Sequence, residues 1–192
     1  MILAVDVGNS NTTVGLFNGT GELLFRALLE TSRSKTRDQC AIELLGVFQL
    51  YGADACTVDG AILSSVVPPL TTIFTDAIAR LTGIPPMVVG PGIRTGLNIK
   101  AEIHNQLGSD IVASSVAAIA KYPSPIVMVD MGTATSLSLI VGSVYEGCII
   151  MPGLALALDA LSERAAALPP ISIEAASPVG LMGHTTEEAM RS

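Results

Sequence analysis

Two stretches of this chain follow one pattern, and the repetition limits what the chain can fold into. Ala4-Val5-Asp6-Val7-Gly8-Asn9-Ser10-Asn11-Thr12 reads apolar, apolar, Asp, apolar, Gly, then small polar residues. Met128-Val129-Asp130-Met131-Gly132-Thr133-Ala134-Thr135-Ser136 reads almost the same way. An apolar stretch follows each, Val14-Gly15-Leu16-Phe17 and Leu137-Ser138-Leu139-Ile140. A buried strand that ends in Asp delivers one carboxylate to its edge. The Gly after it permits a tight turn with close backbone approach. Backbone N–H groups of the small polar residues are then free to hold phosphate oxygens. A single Asp-x-Gly is usually only a turn; two with matching flanks imply a nucleotide held between two related units.

The rest of the chain fits this duplication. Strands are expected at 2–7, 12–18 and 22–30, with Asn18-Gly19 and Gly21 marking a hairpin turn. A helix is expected from Thr36-Arg37-Asp38, with Ile42, Leu44, Leu45, Phe48 and Leu50 as its apolar stripe. A strand over 60–67, a helix over 70–82 and a strand over 87–89 follow. Residues 90–107, with Pro91, Gly92 and Gly96, read as loop. Residues 108–121 read as a helix apolar on nearly every face, and so buried. The order then restarts with strands at 125–130, 134–141 and 144–151 and a helix over 154–167, ended by Pro169-Pro170. Thr185-Thr186-Glu187-Glu188 reads as a helix start. The strand, helix and strand that would finish a second copy are not read, so the second unit is expected to be C-terminally incomplete. The expected units are 1–107 and 108–192.

Composition narrows the function. Among 192 residues the net charge is −7 with no Lys/Arg cluster, which argues against a nucleic-acid surface. Apolar residues make up 49%, enough for a sizeable core without Trp. No apolar run approaches the ~18 residues of a membrane span, and the start of the chain lacks a signal-peptide core, so a cytoplasmic protein is expected. Cys40, Cys56 and Cys148 have no metal-ligand spacing and read as free buried thiols.

The words and their order resemble the type III pantothenate kinases of the actin-like superfamily, along the whole chain. Asp6-Val7-Gly8-Asn9-Ser10-Asn11-Thr12 is close to the family's D-x-G-N-T-N-T. Ser64-Ser65-Val66-Val67-Pro68-Pro69-Leu70-Thr71 matches S-S-V-V-P-P-L-T, and Val89-Gly90-Pro91-Gly92 with Thr95-Gly96-Leu97 matches V-G-P-G-x-x-T-G-L. Gly108-Ser109-Asp110 stands where the family has G-A-D-R. Val129-Asp130-Met131-Gly132-Thr133-Ala134-Thr135 matches V-D-x-G-T-A-T, and Ile150-Met151-Pro152-Gly153-Leu154 fits I-x-P-G-L. The departures lie on the acceptor side: Ile111 stands for the family's Arg, Ala101 for its Tyr, and Ile103-His104 for its Asn-Pro.

The resemblance implies an α/β, actin-like (ribonuclease H-like) duplicated fold, with mixed sheets flanked by helices and ATP in the cleft between two domains. It implies phosphorylation of pantothenate to 4′-phosphopantothenate in coenzyme A synthesis, with ATP, Mg²⁺ and a monovalent cation (K⁺ or NH₄⁺), and a homodimer. Asp6, Val7, Gly8, Asn9, Ser10, Asn11, Thr12 and Thr13 would form one phosphate loop; Gly132, Thr133 and Thr135 the other. Asp6 would hold Mg²⁺, directly or through water. Asp130 would hold the monovalent cation, or serve as a second Mg²⁺-water ligand or a turn residue. Asp110 would be the general base, or cap its helix. Gly108, Ser109, Asp110, Ile111 and Thr186 would meet pantothenate, Thr186 from a neighbouring subunit unless it caps a helix. A rival reading is a nucleotide-binding regulator or scaffold of the accessory transcription factor type.

Overall fold

The computed structural model describes residues 1–90, 93–100, 107–172 and 180–191. Pro91, Gly92, Ala101, Glu102, Ile103 and His104 lie outside the described residues. The first sheet is built from β1 (Ile2–Val7), β2 (Asn11–Phe17), β3 (Leu23–Glu30), β4 (Gly60–Ser65) and β5 (Met87–Val88) in the order β3-β2-β1-β4-β5. The β1–β2 and β2–β3 pairs are antiparallel; β4 joins β1 and β5 joins β4 in parallel. The parallel joins need crossovers. These are α1 (Arg37–Leu50) and α2 (Pro68–Thr82), which pack on each other.

Each helix starts where local chemistry allows. Thr36 caps α1 in a reciprocal box with Gln39. Pro68-Pro69 opens α2 rather than ending the strand before it, because a first-turn proline lacks only an N–H that would be unpaired anyway. The buried stripe of α1 is Cys40, Leu44, Val47 and Phe48. Ile42, Leu45 and Leu50, expected in the stripe, are exposed. The true stripe follows the i, i+4, i+7, i+8 spacing that begins at Cys40.

The second sheet contains β6 (Asn98–Ile99), β7 (Ile126–Met131), β8 (Ala134–Val141) and β9 (Val144–Pro152) in the order β6-β9-β8-β7. Its β7-β8-β9 meander repeats β1-β2-β3. Both sheets are mixed and flanked by helices, the coarse arrangement of an actin-like protein. Asn98–Ile99, read as loop, instead pairs in parallel with β9. Two residues are too short to carry a periodic signal. That strand precedes residue 107 and belongs to the second sheet.

The helices of this half are α3 (Ser109–Lys121), α4 (Leu154–Arg164) and α5 (Thr186–Arg191). The expectation that α3 is buried all round fails, as only Ser115 and Ala118 are buried. Its exposed apolar residues are alanines (Ala113, Ala117 and Ala120), which tolerate exposure. The expected α4 is shorter too. It stops at Arg164, well before Pro169, because the extended backbone of Ala165 leads into a turn closed by Leu168 N–H donating to the Ala165 carbonyl. Of the three cysteines, all free, only Cys40 is buried; Cys56 and Cys148 are exposed. No described helix is long and apolar enough to cross a membrane.

The two sheets differ most in their cores. Leu3, Val5 and Val7 of β1 are 0%, 2% and 0% exposed, whereas their counterparts Val127, Val129 and Met131 are 66%, 54% and 72% exposed. In the first sheet α1 and α2 cover this face, and β4 covers the β1 edge. Among the described residues no strand pairs with the matching edge of β7. The second core is small: Ala118, Ile126, Ile140 and Tyr145, with Leu97, Ile99, Leu107, Ile111 and Ile119 against it. Tyr145 is fully buried, with its hydroxyl 2.9 Å from Ser138 Oγ. Burial pushes that hydroxyl's pKa up to about 12, so it stays a neutral hydrogen-bonding group.

Ser115 Oγ is buried on α3 with no partner. A buried hydroxyl left unpaired costs about 1–3 kcal/mol. Ser115→Ala removes that cost and is expected to stabilise the fold by roughly 1 kcal/mol, read as a higher denaturant midpoint with an unchanged slope.

Candidate functional site

The duplicated strands end side by side at one cleft of ≈ 890 Å³. In both turns the glycine N–H makes the closing bond, to the carbonyl three residues on in the first and two residues on in the second, shorter turn. Gly8 N–H donates to the Asn11 carbonyl at 3.0 Å, and Gly132 N–H to the Ala134 carbonyl at 3.0 Å. Asp6, Gly8, Asn9, Ser10 and Asn11 line one wall; Asp130, Gly132 and Thr133 line the other. Ser10 Oγ and Thr133 Oγ1 meet across the cleft at 3.0 Å. Asp110 and Ile111, from the first turn of α3, complete the lining together with Ser114. The expected groups from three distant parts of the sequence thus share one space, of the size that takes a small-molecule ligand.

Like charges converge there. Packing around Asp6 pushes its carboxyl above the ordinary value, although one side of it faces solvent. A hydrogen bond from the Ser64 hydroxyl opposes that rise, and the charges of Asp110 and Asp130 add to it. The N-cap position of α3 is Gly108, which has no side chain to offer, and Asp110 in the first turn accepts on Oδ1 the otherwise free N–H of its neighbour Ile111 at 2.7 Å. A Cβ on Gly108 would collide with that same Oδ1, so glycine there leaves the carboxylate its place.

Several expected residues sit elsewhere. Val7 is fully buried in the first core. Thr12 is buried, with Oγ1 2.8 Å from Thr31 Oγ1, and Thr13 and Thr135 are strand residues outside the cleft lining. Gly108 and Ser109 do not line it either; Ser109 Oγ lies 3.1 Å from Ser64 Oγ. At α5 the capping residue is Thr185, whose Oγ1 accepts from Glu188 N–H while Glu188 Oε2 accepts from Thr185 N–H. Thr186 is therefore not the cap, and it lies outside the cleft lining.

The cleft also holds residues that the sequence did not single out. Asp159 lines it from α4, a helix read only as core. Its signal was a lone acid in an Ala/Leu run. Arg33 Nη2 donates to Asn9 Oδ1 at 3.4 Å and brings a cation to the first loop from outside either motif.

Comparison with known proteins gives the chain its relatives. The profile of the type III pantothenate kinase family matches residues 2–192. A type III pantothenate kinase of an Exiguobacterium species is 40% identical over 193 residues, spanning all of this chain and 75% of that protein. One from a Geobacillus species is 41% identical over 192 residues, spanning all of this chain and 73% of its own length. The chain belongs to the type III pantothenate kinase family. A solved structure from Campylobacter jejuni, assigned to the Baf family of transcriptional activators, superposes with a TM-score of 0.55 at 19% identity, over 98% of this chain and 71% of that one. At that identity the likeness is one of fold.

In this pantothenate kinase family chain, Gly153 is what lets α4 reach the second loop. Its N–H donates to the Thr133 carbonyl at 3.0 Å, and a Cβ there would sit inside contact distance of the Gly132 and Thr133 carbonyl oxygens. These are backbone atoms and cannot turn aside. Gly153→Ala is therefore expected to cost about 1–3 kcal/mol, the usual range for forced overpacking. It is also expected to weaken nucleotide binding, measured by titration calorimetry alongside thermal unfolding.

Proposed function

We infer that this chain transfers the γ-phosphoryl group of ATP to pantothenate, forming 4′-phosphopantothenate and ADP at the first step of coenzyme A synthesis. One observation carries the reading: in a chain of this family, two Asp–Gly loops and the carboxylate of Asp110 face one cleft. In the proposed arrangement two lobes, 1–107 and 108–192, hold ATP between them. The backbone of residues 8–11 and 132–133 and the hydroxyls of Ser10 and Thr133 bind its phosphates. Asp6 holds Mg²⁺, directly or through water, and Asp130 holds K⁺ or NH₄⁺. The donor set fits these ions. Among the described residues no three His, Cys, Asp or Glu side chains cluster as a metal cage. Mg²⁺ characteristically takes one or two carboxylates and completes its shell with phosphate oxygens and water. When bound, the cations offset phosphate charge in a cleft that already contains several carboxylates.

The chemistry asks for position more than basicity. The hydroxyl oxygen of pantothenate forms a bond to the γ-phosphorus as the bond to the bridging oxygen breaks and its electron pair leaves with ADP. The hydroxyl proton passes to Asp110. The backbone N–H of Ile111 holds Oδ1, leaving the second oxygen for that proton. Phosphoryl transfer runs through a loose transition state, so an ordinary carboxylate suffices once it is placed. The homodimer is carried as part of the same reading, supported by the apolar side chains exposed on β7 and β9.

A coupled assay of ATP turnover with and without pantothenate tests the assignment. Pantothenate-dependent turnover is expected, and nucleotide binding with no such turnover would favour the regulator reading. Asp110→Asn is expected to lower turnover by roughly 10²–10⁴-fold, the span of general acid–base catalysis, with little change in ATP affinity. Turnover within about threefold of wild type, far short of that span, would remove Asp110 from the mechanism. Turnover is also expected to require K⁺ or NH₄⁺, because neither phosphate motif contains a Lys or Arg. Equal rates in Na⁺ and K⁺ buffers would count against the role given to Asp130.

A further inference from the structure

We propose that Arg33, from the turn between β3 and α1, is a further phosphate-binding residue, whose guanidinium stands at the first loop and closes on the phosphate chain of a bound nucleotide. The proposal rests on the reading that this loop holds phosphate, and adds a side chain to the backbone groups that do so. The turn is tied to the loop where it begins. Thr31 N–H donates to the Ser10 carbonyl at 3.0 Å, which carries the pairing of β2 and β3 one step into the loop. Thr31 Oγ1 lies 2.8 Å from Oγ1 of the buried Thr12. Arg33 Nη2 then reaches Oδ1 of Asn9, a residue of the cleft wall, at 3.4 Å. The backbone under Arg33 is held from the far side as well. Lys35 N–H donates to the Ser32 carbonyl at 3.3 Å, so Arg33 takes a corner of a four-residue turn. The capping box of Thr36 and Gln39 follows at once. A fixed base therefore carries an exposed side chain that can turn.

Asn9 is a weak partner for that guanidinium. The bond is longer than the ~2.7–3.2 Å usual for N–H···O, and a neutral amide leaves the positive charge unopposed. Neighbouring cations are already taken: Lys35 pairs with Glu43, and Arg37 and Arg80 share Asp38. Among the described residues no carboxylate pairs with Arg33. The cleft beside it calls for such a charge. Asp6, Asp110 and Asp130 line it, and among the described residues no Lys or Arg does. A phosphate chain would add further negative charge. The guanidinium offers several N–H donors in a planar fork that matches the oxygens of a phosphate group. Hydrogen bonds between ionised partners are also stronger than the one it makes to an amide. A nucleotide on the first loop therefore draws Arg33 away from Asn9 and onto its phosphates.

The test uses the full chain with Mg–ADP as the probe. Titration calorimetry compares wild type with Arg33→Gln, Arg33→Lys and Arg37→Gln, the last a control for the loss of a surface charge. Arg33→Gln is expected to weaken binding about tenfold to a hundredfold, as the loss of a hydrogen bond from a charged group does. Arg33→Lys, which keeps the charge but not the fork, recovers part of the loss. Arg37→Gln stays within about twofold of wild type, since exposed ion pairs contribute little. Repeating Arg33→Gln in an Asn9→Ala background separates a contact to phosphate from support of the loop. A loss that persists there is the phosphate contact. One that vanishes there means that Arg33 acts only through Asn9, and overturns the proposal. In wild type, bound Mg–ADP is expected to shield Arg33, but not Arg37, from phenylglyoxal, read by peptide mass mapping. If Asn9→Ala does not fold, that shielding decides. Arg33→Gln binding within about twofold of wild type, the range of an idle surface charge, overturns the proposal. So does an Arg33 modified equally with and without Mg–ADP. A wild type that binds Mg–ADP yet leaves pantothenate untouched overturns the acceptor assignment only. One that binds no Mg–ADP overturns the phosphate reading of the loop, and Arg33 with it.

Discussion

Carboxylates of like charge face one cleft, and the fold has to hold them there against their repulsion. Asp6 and Asp130 are fixed by the same device, the C-terminal end of a strand locked on one flank by an antiparallel partner. Asp110 arrives by another, the first turn of a helix that bridges the sheets by touching β4 and β7. The strain of the arrangement shows at Asp6, whose carboxyl is pushed up by packing and then by both neighbours. Among the described residues no Lys or Arg lines the cleft; Arg33 reaches the Asn9 side chain of the first loop. On the proposed reading, the site suits a ligand that arrives with its own cations, which is how a magnesium nucleotide differs from a bare phosphate.

The two halves use one plan with unequal means. In the first, β1 is flanked on both edges and roofed by α1 and α2, and its inward residues are fully buried. In the second, β7 has one paired edge among the described residues and its matching residues face outward. At about 25 cal/mol per Å² of apolar surface, burial is the main source of stability. The second loop is consequently seated on the less stable half. Gly153 compensates locally, since it lets the backbone of α4 bond directly to that loop.

Much of this was legible because the decisive features are local. Each Asp–Gly word announces a strand, a turn and a small polar run within a dozen residues, and both loops fall where the words place them. Thr36 announced α1 for the same reason, as its cap and box lie within one turn. What was not legible depends on partners far along the chain. Ile42 and Cys40 are both acceptable stripe residues, and only the packed sheet decides that Cys40 points inward. Asn98–Ile99 is a strand only because β9 lies beside it. Ser109 reads as an acceptor-side residue in a Gly-Ser-Asp word, whereas its hydroxyl is taken up by Ser64 and Ser65, more than forty positions earlier.

The departure at Ile111 takes on meaning from the same contacts. On the proposed reading a cation after Asp110 would face the acceptor, and Ile111 does line the cleft. It also packs against the second core, on the cluster that contains Tyr145 and Ile140. Asp110 is therefore flanked by one residue bonded to the first sheet and one packed on the second. An arginine at 111 could supply charge at the cleft but would fit poorly against an apolar cluster, where an unpaired cation is costly to desolvate. Isoleucine gives up that charge for an apolar hold on a helix that has few others. The carboxylate between them is located by both halves of the molecule, so its position reports how the two sheets sit around the cleft.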